Sequence, residues 1–134
     1  MSLGTLHAYY AAFNARDWDG MCVLLTEDVA HDVNQGGREV GREAFRAFLE
    51  RMARHYRERV EDLVAMVTPD QVRGAAEFTI RGEYLATDEG LPEARGQAYV
   101  LPVGAFFELR EGRIARVTNF YNLKDWVAQV SAGG

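Results

Sequence analysis

The chain has one cysteine, Cys22, so an internal disulfide is excluded. It sits in an apolar stretch with Met21 and Leu25 and is expected to be buried and inert. No apolar run approaches the roughly 18 residues of a membrane helix. The opening MSLGTLHAYY lacks the cationic lead and apolar core of a secretion signal. These absences point to a cytoplasmic protein with no membrane partner. The three histidines, His7, His31 and His55, are scattered and show no zinc spacing. GREVG is not followed by the Lys-Ser of a phosphate loop, and no Ser or Cys sits in a nucleophile elbow. Neither a metal nor a cofactor is expected. A net charge of -5 argues against a nucleic-acid partner. With no repeat, low-complexity segment or linker, the 134 residues read as a single domain, 1–134.

What is present is a set of patterned segments. Leu6, Tyr9, Tyr10 and Phe13 fall near one stripe at helical spacing, which predicts a helix from about Leu3 to Ala15. Asp17 can cap a short second helix through Leu25, because its carboxylate accepts the free N–H groups of the first turn. Val29 to Val33 reads as a short strand ended by the turn Asn34-Gln35-Gly36-Gly37. A third helix is predicted from about Arg42 to Tyr56, with Phe45, Phe48, Leu49, Met52 and Tyr56 on its apolar stripe. Its many arginines are interleaved with Glu39, Glu43, Glu50 and Glu58, which reads as a solvated, partly paired face.

The second half reads as strands. Val60 to Thr68 is one, and Pro69-Asp70 marks the turn after it. Ala76, Phe78, Ile80, Gly82 and Tyr84 alternate with Glu77, Thr79, Arg81 and Glu83, a period of two with one apolar face. A polar loop over 86–96 precedes a long strand from Gln97 to Arg110, and Glu111-Gly112 turns it into Arg113 to Asn122. Asn122 with Asp125 can cap a last short helix holding Trp126 and Val130. On the long strand both faces are apolar: Val100, Pro102, Gly104 and Phe106 on one, Leu101, Val103, Ala105, Phe107 and Leu109 on the other. The helices can cover one face. A second copy of the chain is the simplest cover for the other, so a homodimer through the outer sheet face is expected; the alternative is that the C-terminal helix folds over it.

The segments YYAAFNARDWDGM, the His31-Asp32 pair, GREVGREAFRAF, AEFTIRGEY, the Pro102 strand and GRIARVTNFYNL occur in this order over nearly the whole chain. In this the protein resembles the nuclear-transport-factor-2-like superfamily, in its ketosteroid isomerase-related and SnoaL-like polyketide cyclase branch. The resemblance implies an α+β fold: a cone-shaped, curved antiparallel β-sheet covered by about three N-terminal helices, with a short C-terminal helix. It also implies a cofactor-free, isomerase- or cyclase-like enzyme that moves a proton next to a carbonyl of a hydrophobic small molecule. Such chemistry needs a base and donors that stabilise the enolate.

Carried over residue by residue, the resemblance places Tyr9 at the family's oxyanion tyrosine, with Tyr10 as its competitor. The base falls on Asp32 if the strand is shortened by one residue. His31 is the other candidate, since alternation lets only one of the two face the cavity; an Asp32 that merely pins the following turn is the third reading. The isomerases' protonated acid falls on Gly104, which has no donor. Asn119 and Tyr121, on the same strand face as Val117, can supply hydrogen bonds from that wall instead. The expected lining is completed by Phe48, Met52, Phe78, Ile80, Gly104, Phe106 and Val117, with Gln35 and Asn34 at the rim. A non-catalytic homodimer that binds a hydrophobic metabolite, and an interaction module with a packed cone, use the same pattern.

Overall fold

The computed structural model describes residues 1–34 and 36–132. In chain order the elements are α1 (Ser2–Asn14), α2 (Trp18–Cys22), β1 (Leu25–Asp32), β2 (Arg38–Val40), α3 (Arg42–His55) and β3 (Tyr56–Val67). They continue with β4 (Arg73–Tyr84), β5 (Ala98–Arg110), β6 (Arg113–Phe120) and α4 (Leu123–Ala132). The fold is α+β: six strands form one sheet in the order β2-β1-β6-β5-β4-β3, antiparallel throughout except for the parallel pair β1 and β6. Register shifts at Glu61/Val64, Leu25/Ala30 and Glu108/Leu109 interrupt the ladders. Bulges of this kind bend a strand and raise its twist, which curls the sheet. At the first of them Asp62 takes a φ of 56°.

The caps read from the sequence are in place. Asp17 accepts from the Gly20 N–H at 2.8 Å at the head of α2, and Asn122 accepts from the Asp125 N–H at 3.0 Å at the head of α4. Two starts differ from expectation. The first strand begins at Leu25 rather than Val29, and the strand after α3 begins at Tyr56 rather than Val60. The segment RMARHYRERV mixes charged and apolar residues in a pattern that suits a helix or a strand, so the pattern does not locate the switch.

The helices cover one face only. On α1, Leu6, Tyr9 and Tyr10 are buried, and the two tyrosine rings stand edge-on to Phe107 of β5 at 5.9 and 6.3 Å. Tyr10 also packs on Phe78 of β4 at 4.8 Å. These contacts identify the concave face. It carries Phe78, Ile80 and Tyr84 on β4, Tyr99, Leu101, Ala105 and Phe107 on β5, and Val117 on β6, all buried. Trp126 of α4 packs edge-on against Tyr84 and Tyr99 at 4.9 and 5.9 Å, so the C-terminal helix joins the concave side. It does not fold over the outer face, where Phe106 and Phe120 pair 5.9 Å apart and remain 48% and 54% exposed. Cys22 is buried, and burial raises its thiol pKa. Among the described residues no helix is long and apolar enough to cross a membrane.

Candidate functional site

The concave face is read most directly through one row of cross-strand partners. Phe107 lies opposite Val117, Val117 beside His31, and His31 opposite Glu39. Because Phe107 touches α1, the whole row points inward. His31 is 3% exposed, with its ring 4.5 Å from Phe48 and 4.8 Å from Phe45 of α3. Its buried Nδ1 has no hydrogen-bond partner among the described residues and lies 3.9 Å from Glu39 Oε1, which is equally unpartnered there. Desolvation lowers the His31 pKa, and the charges of Glu39 and Asp32 offset part of that shift. The imidazole is therefore neutral near pH 7 and able to accept a proton. Arg51 lies at the rim, its guanidinium carbon 5.3 Å from the centre of the Phe48 ring.

Asp32 is on the other side of the sheet. It shares the outer face with Thr118 and Arg38, its cross-strand neighbours. Arg38 Nε and Nη2 donate to its two oxygens at 2.6 and 3.1 Å, and Thr118 Oγ1 donates at 2.7 Å. The Arg38 hydrogen bonds, helped by Thr118, hold its pKa at about 2. The expectation of an interior Asp32 base is thus corrected: parallel pairing with β6 in this register turns His31 inward and Asp32 outward. Gly104 and Phe106 are corrected for the same reason. Gly104 pairs with Phe120 and Phe106 with Thr118, both on the outer face. A Cβ at Gly104 would meet no atom within 4 Å.

The remaining candidates separate into two ends of the concave face. Near His31 are Phe48 and Val117, and Tyr9 of α1 approaches through Phe45, which both rings contact. Burial raises the pKa of Tyr9, and Cys22 adds to it, so this phenol faces α2. The Tyr10 hydroxyl is buried with no partner among the described residues. Burial raises its pKa as well. Phe78 and Ile80 are buried on the concave face of β4. Asn119 lies opposite Ala105 on the concave side, and Met52 is half-buried on α3. Tyr121 stands at the far end: burial raises its pKa, followed by the charge of Glu58. Asn34 Nδ2 donates to the Tyr121 carbonyl at 3.2 Å. Gln35 lies outside the described residues.

Two acids were missed by sequence reasoning, and only one of them carried a signal. Glu58 shares strand parity with Tyr56 and Val60, so it faces inward with them. Glu39 shares parity with nothing apolar in the three-residue β2, and only its pairing with His31 reveals it. Two hollows of about 430 and 700 Å³ lie elsewhere, around Asp28, Arg73 and Arg110 and around Glu27 and Arg113. Among the described residues no group of three or more His, Cys, Asp or Glu side chains is arranged to hold a metal ion.

Residues 6–117 match the sequence pattern of the SnoaL-like domain. The chain belongs to the SnoaL-like domain family. Among solved structures this SnoaL-like protein is similar to a candidate polyketide cyclase from Pseudomonas putida KT2440, at 58% identity over 97% of this chain and 98% of that one, with a TM-score of 0.95. A candidate polyketide cyclase from Xanthomonas campestris pv. campestris is 56% identical over 96% of each chain, with a TM-score of 0.93. A phenazine biosynthesis-related protein from Pseudomonas aeruginosa is 20% identical over 96% of this chain and 83% of that one, with a TM-score of 0.77, a likeness of fold alone. No curated protein matches the chain.

Proposed function

We propose that this SnoaL-like protein is a cofactor-free enzyme that transfers a proton next to a carbonyl of a hydrophobic small molecule, of the cyclase or isomerase type. The observation that supports this best is the inward His31 with its unpartnered Nδ1 beside Glu39. A neutral imidazole takes a proton from carbon, and the carboxylate 3.9 Å away offsets the cost of the imidazolium that forms. Closing that gap by about 1 Å makes a charge-assisted hydrogen bond, the kind of tightening that substrate binding brings. The Tyr10 hydroxyl, orphaned on the same face, is the candidate donor to the developing enolate. Asn119 and Tyr121 orient the substrate, and Phe48, Met52, Phe78 and Ile80 supply apolar wall.

The test is deuterium exchange at the α-carbon of 2-tetralone, followed by NMR. The wild type is expected to accelerate exchange over buffer, His31→Ala to lose that acceleration, and Asp32→Asn to keep it. Equal rates with and without His31 remove the assignment. Saturable ketone binding without exchange is the outcome of the second reading, a non-catalytic binder of a hydrophobic metabolite.

The same reading includes a homodimer through the outer face, where Val100, Phe106 and Phe120 are exposed beside Pro102. Sedimentation of the wild type as a monomer at micromolar concentration would remove it, and Phe106→Asp is expected to dissociate the pair.

A further inference from the structure

Among the described residues the sheet ends on β3, which has β4 on one side and no strand on the other. The two halves of that open edge differ. At Val60 the Asn14 side chain of α1 takes the place of a neighbouring strand. Its Nδ2 donates to the Val60 carbonyl at 3.0 Å, and its Oδ1 accepts from the Val60 N–H at 2.8 Å. Arg57, Arg59 and Glu61 put charge along the same half, which keeps strand edges from pairing. Further on, at the level of Val67, α1 has left the edge. Leu6 lies there over Gly74, the β4 partner of Val67, where a Cβ would meet Leu6 Cδ1 at 2.9 Å.

The half from Leu63 to Val67 has no such protection, and its sequence LVAMV carries no charge. Val60 gives its backbone groups to Asn14, so its β4 partner Ile80 turns its own toward β5. Alternation along β4 gives Ala76 and Gly74 the same direction as Ile80. Their partners Ala65 and Val67 therefore point N–H and C=O out of the sheet, and Leu63 follows by alternation from Val64. No described backbone group outside the sheet bonds to these three. The side chains of Val64 and Met66 are 52% and 53% exposed.

We propose that Leu63–Val67 is an interaction edge on which a second copy of this chain adds its own β3, antiparallel and centred on Ala65. The register follows from the backbone, because residues that exchange both bonds must both point outward. Centring on Ala65 sets Ala65 against its equivalent and Leu63 against Val67, which uses all three outward residues of each copy in about six N–H···O=C bonds. Asp62, with a φ of 56°, ends the segment on one side, and Pro69, with no N–H, ends it on the other. A shift of one residue either way sets Val67 against Glu61, which faces β4, or Leu63 against Pro69. Charge agrees with this register: Glu61, Asp62 and Asp70 of each copy fall opposite Pro69, Thr68 and Val60 of the other, so no like charges meet. Val64 of each copy stands beside Met66 of the other, apolar against apolar. This contact joins two sheets edge to edge and does not involve the pairing of outer faces through Phe106.

Amide–water exchange of the full chain, followed by NMR from about 20 μM to about 2 mM, tests the pairing. The Leu63, Ala65 and Val67 amides are expected to slow about threefold or more across that range, while those of Val64 and Met66, which face β4, stay unchanged. A mixture of labelled and unlabelled chain is expected to show an intermolecular contact between the α-protons of Val64 and Met66. Phe106→Asp is expected to keep the slowing. Ala65→Pro removes an N–H that the fold does not use and is expected to abolish the slowing at Leu63 and Val67. Should that variant fail to fold, Met66→Lys, which charges the seam at an exposed position, carries the same comparison. Exchange independent of concentration overturns the proposal. So does slowing that is lost in Phe106→Asp, that survives in the folded seam variant, or that comes without the Val64–Met66 contact.

Discussion

His31 and Asp32, consecutive on β1, project to opposite sides of the sheet. The imidazole meets Phe45 and Phe48 under α3, while the carboxylate meets Arg38 and Thr118 on the outer face. Each therefore titrates for a different reason, and the two are separable by experiment.

Asp32 is stabilising at neutral pH. Its folded pKa of about 2 is below its ordinary value of 3.8. The unfolded chain therefore binds the proton more tightly, so the contribution is complete above about pH 4 and is lost as the pH falls through about 2. Solvent screening keeps it modest, about 1 kcal/mol. Asp32→Asn is expected to lower the unfolding free energy measured in urea by that amount at pH 7 and to converge with the wild type in strong acid. Convergence at no pH would place the effect elsewhere.

The buried imidazole has the same sign. The His31 pKa is lowered from 6.5 by desolvation. Stability linked to it is complete above that value and falls as the pH drops through the depressed folded value, because the unfolded state takes the proton first. Wild-type unfolding free energy is expected to decline below about pH 6.5, with a shallower slope in His31→Leu. The His31 ring resonances, followed by NMR, should titrate below the ordinary histidine range.

The Tyr99 ring crosses β4 over Gly82 and its hydroxyl donates to Glu58 Oε2 at 2.6 Å, so Gly82 is the residue on which that bond depends. A methyl at that position would lie 2.4 Å from Tyr99 Cζ, so the ring must leave. Gly82→Ala is expected to cost about 1–3 kcal/mol through overpacking. Adding Tyr99→Ala should remove most of that penalty, since the clash disappears with the ring. Additive losses in the double mutant would argue against the crossing.

The Tyr10 hydroxyl is buried without a partner, an arrangement that costs about 1–3 kcal/mol. Tyr10→Phe removes the hydroxyl and keeps the ring contacts with Phe78 and Phe107. The variant is expected to match or exceed wild-type stability in urea denaturation while slowing exchange in the ketone assay. A clear loss of stability would mean the hydroxyl has a structural partner.

Much of the architecture was legible because alternation and helical stripes are local properties. Phe78 and Ile80 declared a buried face through period two alone, and Asp17 and Asn122 declared caps by residue type and position. Gly104 and Phe106 were misplaced because both faces of β5 are apolar, so hydrophobicity does not say which one the helices take. Glu58 was overlooked because the charged run after α3 fits helix and strand equally well.

Composition and periodicity by themselves determined that this chain builds helices over a sheet and that His31 and Asp32 must point in opposite directions. Only the tertiary structure decided which of the two points inward. A strand's alternation is relative, and it becomes absolute when a neighbour anchors it, here through the parallel register of His31 beside Val117 and Asp32 beside Thr118. The meeting of Glu58 with Tyr99 is likewise tertiary: three strands distant in sequence must align before a missing side chain at Gly82 opens the path between them.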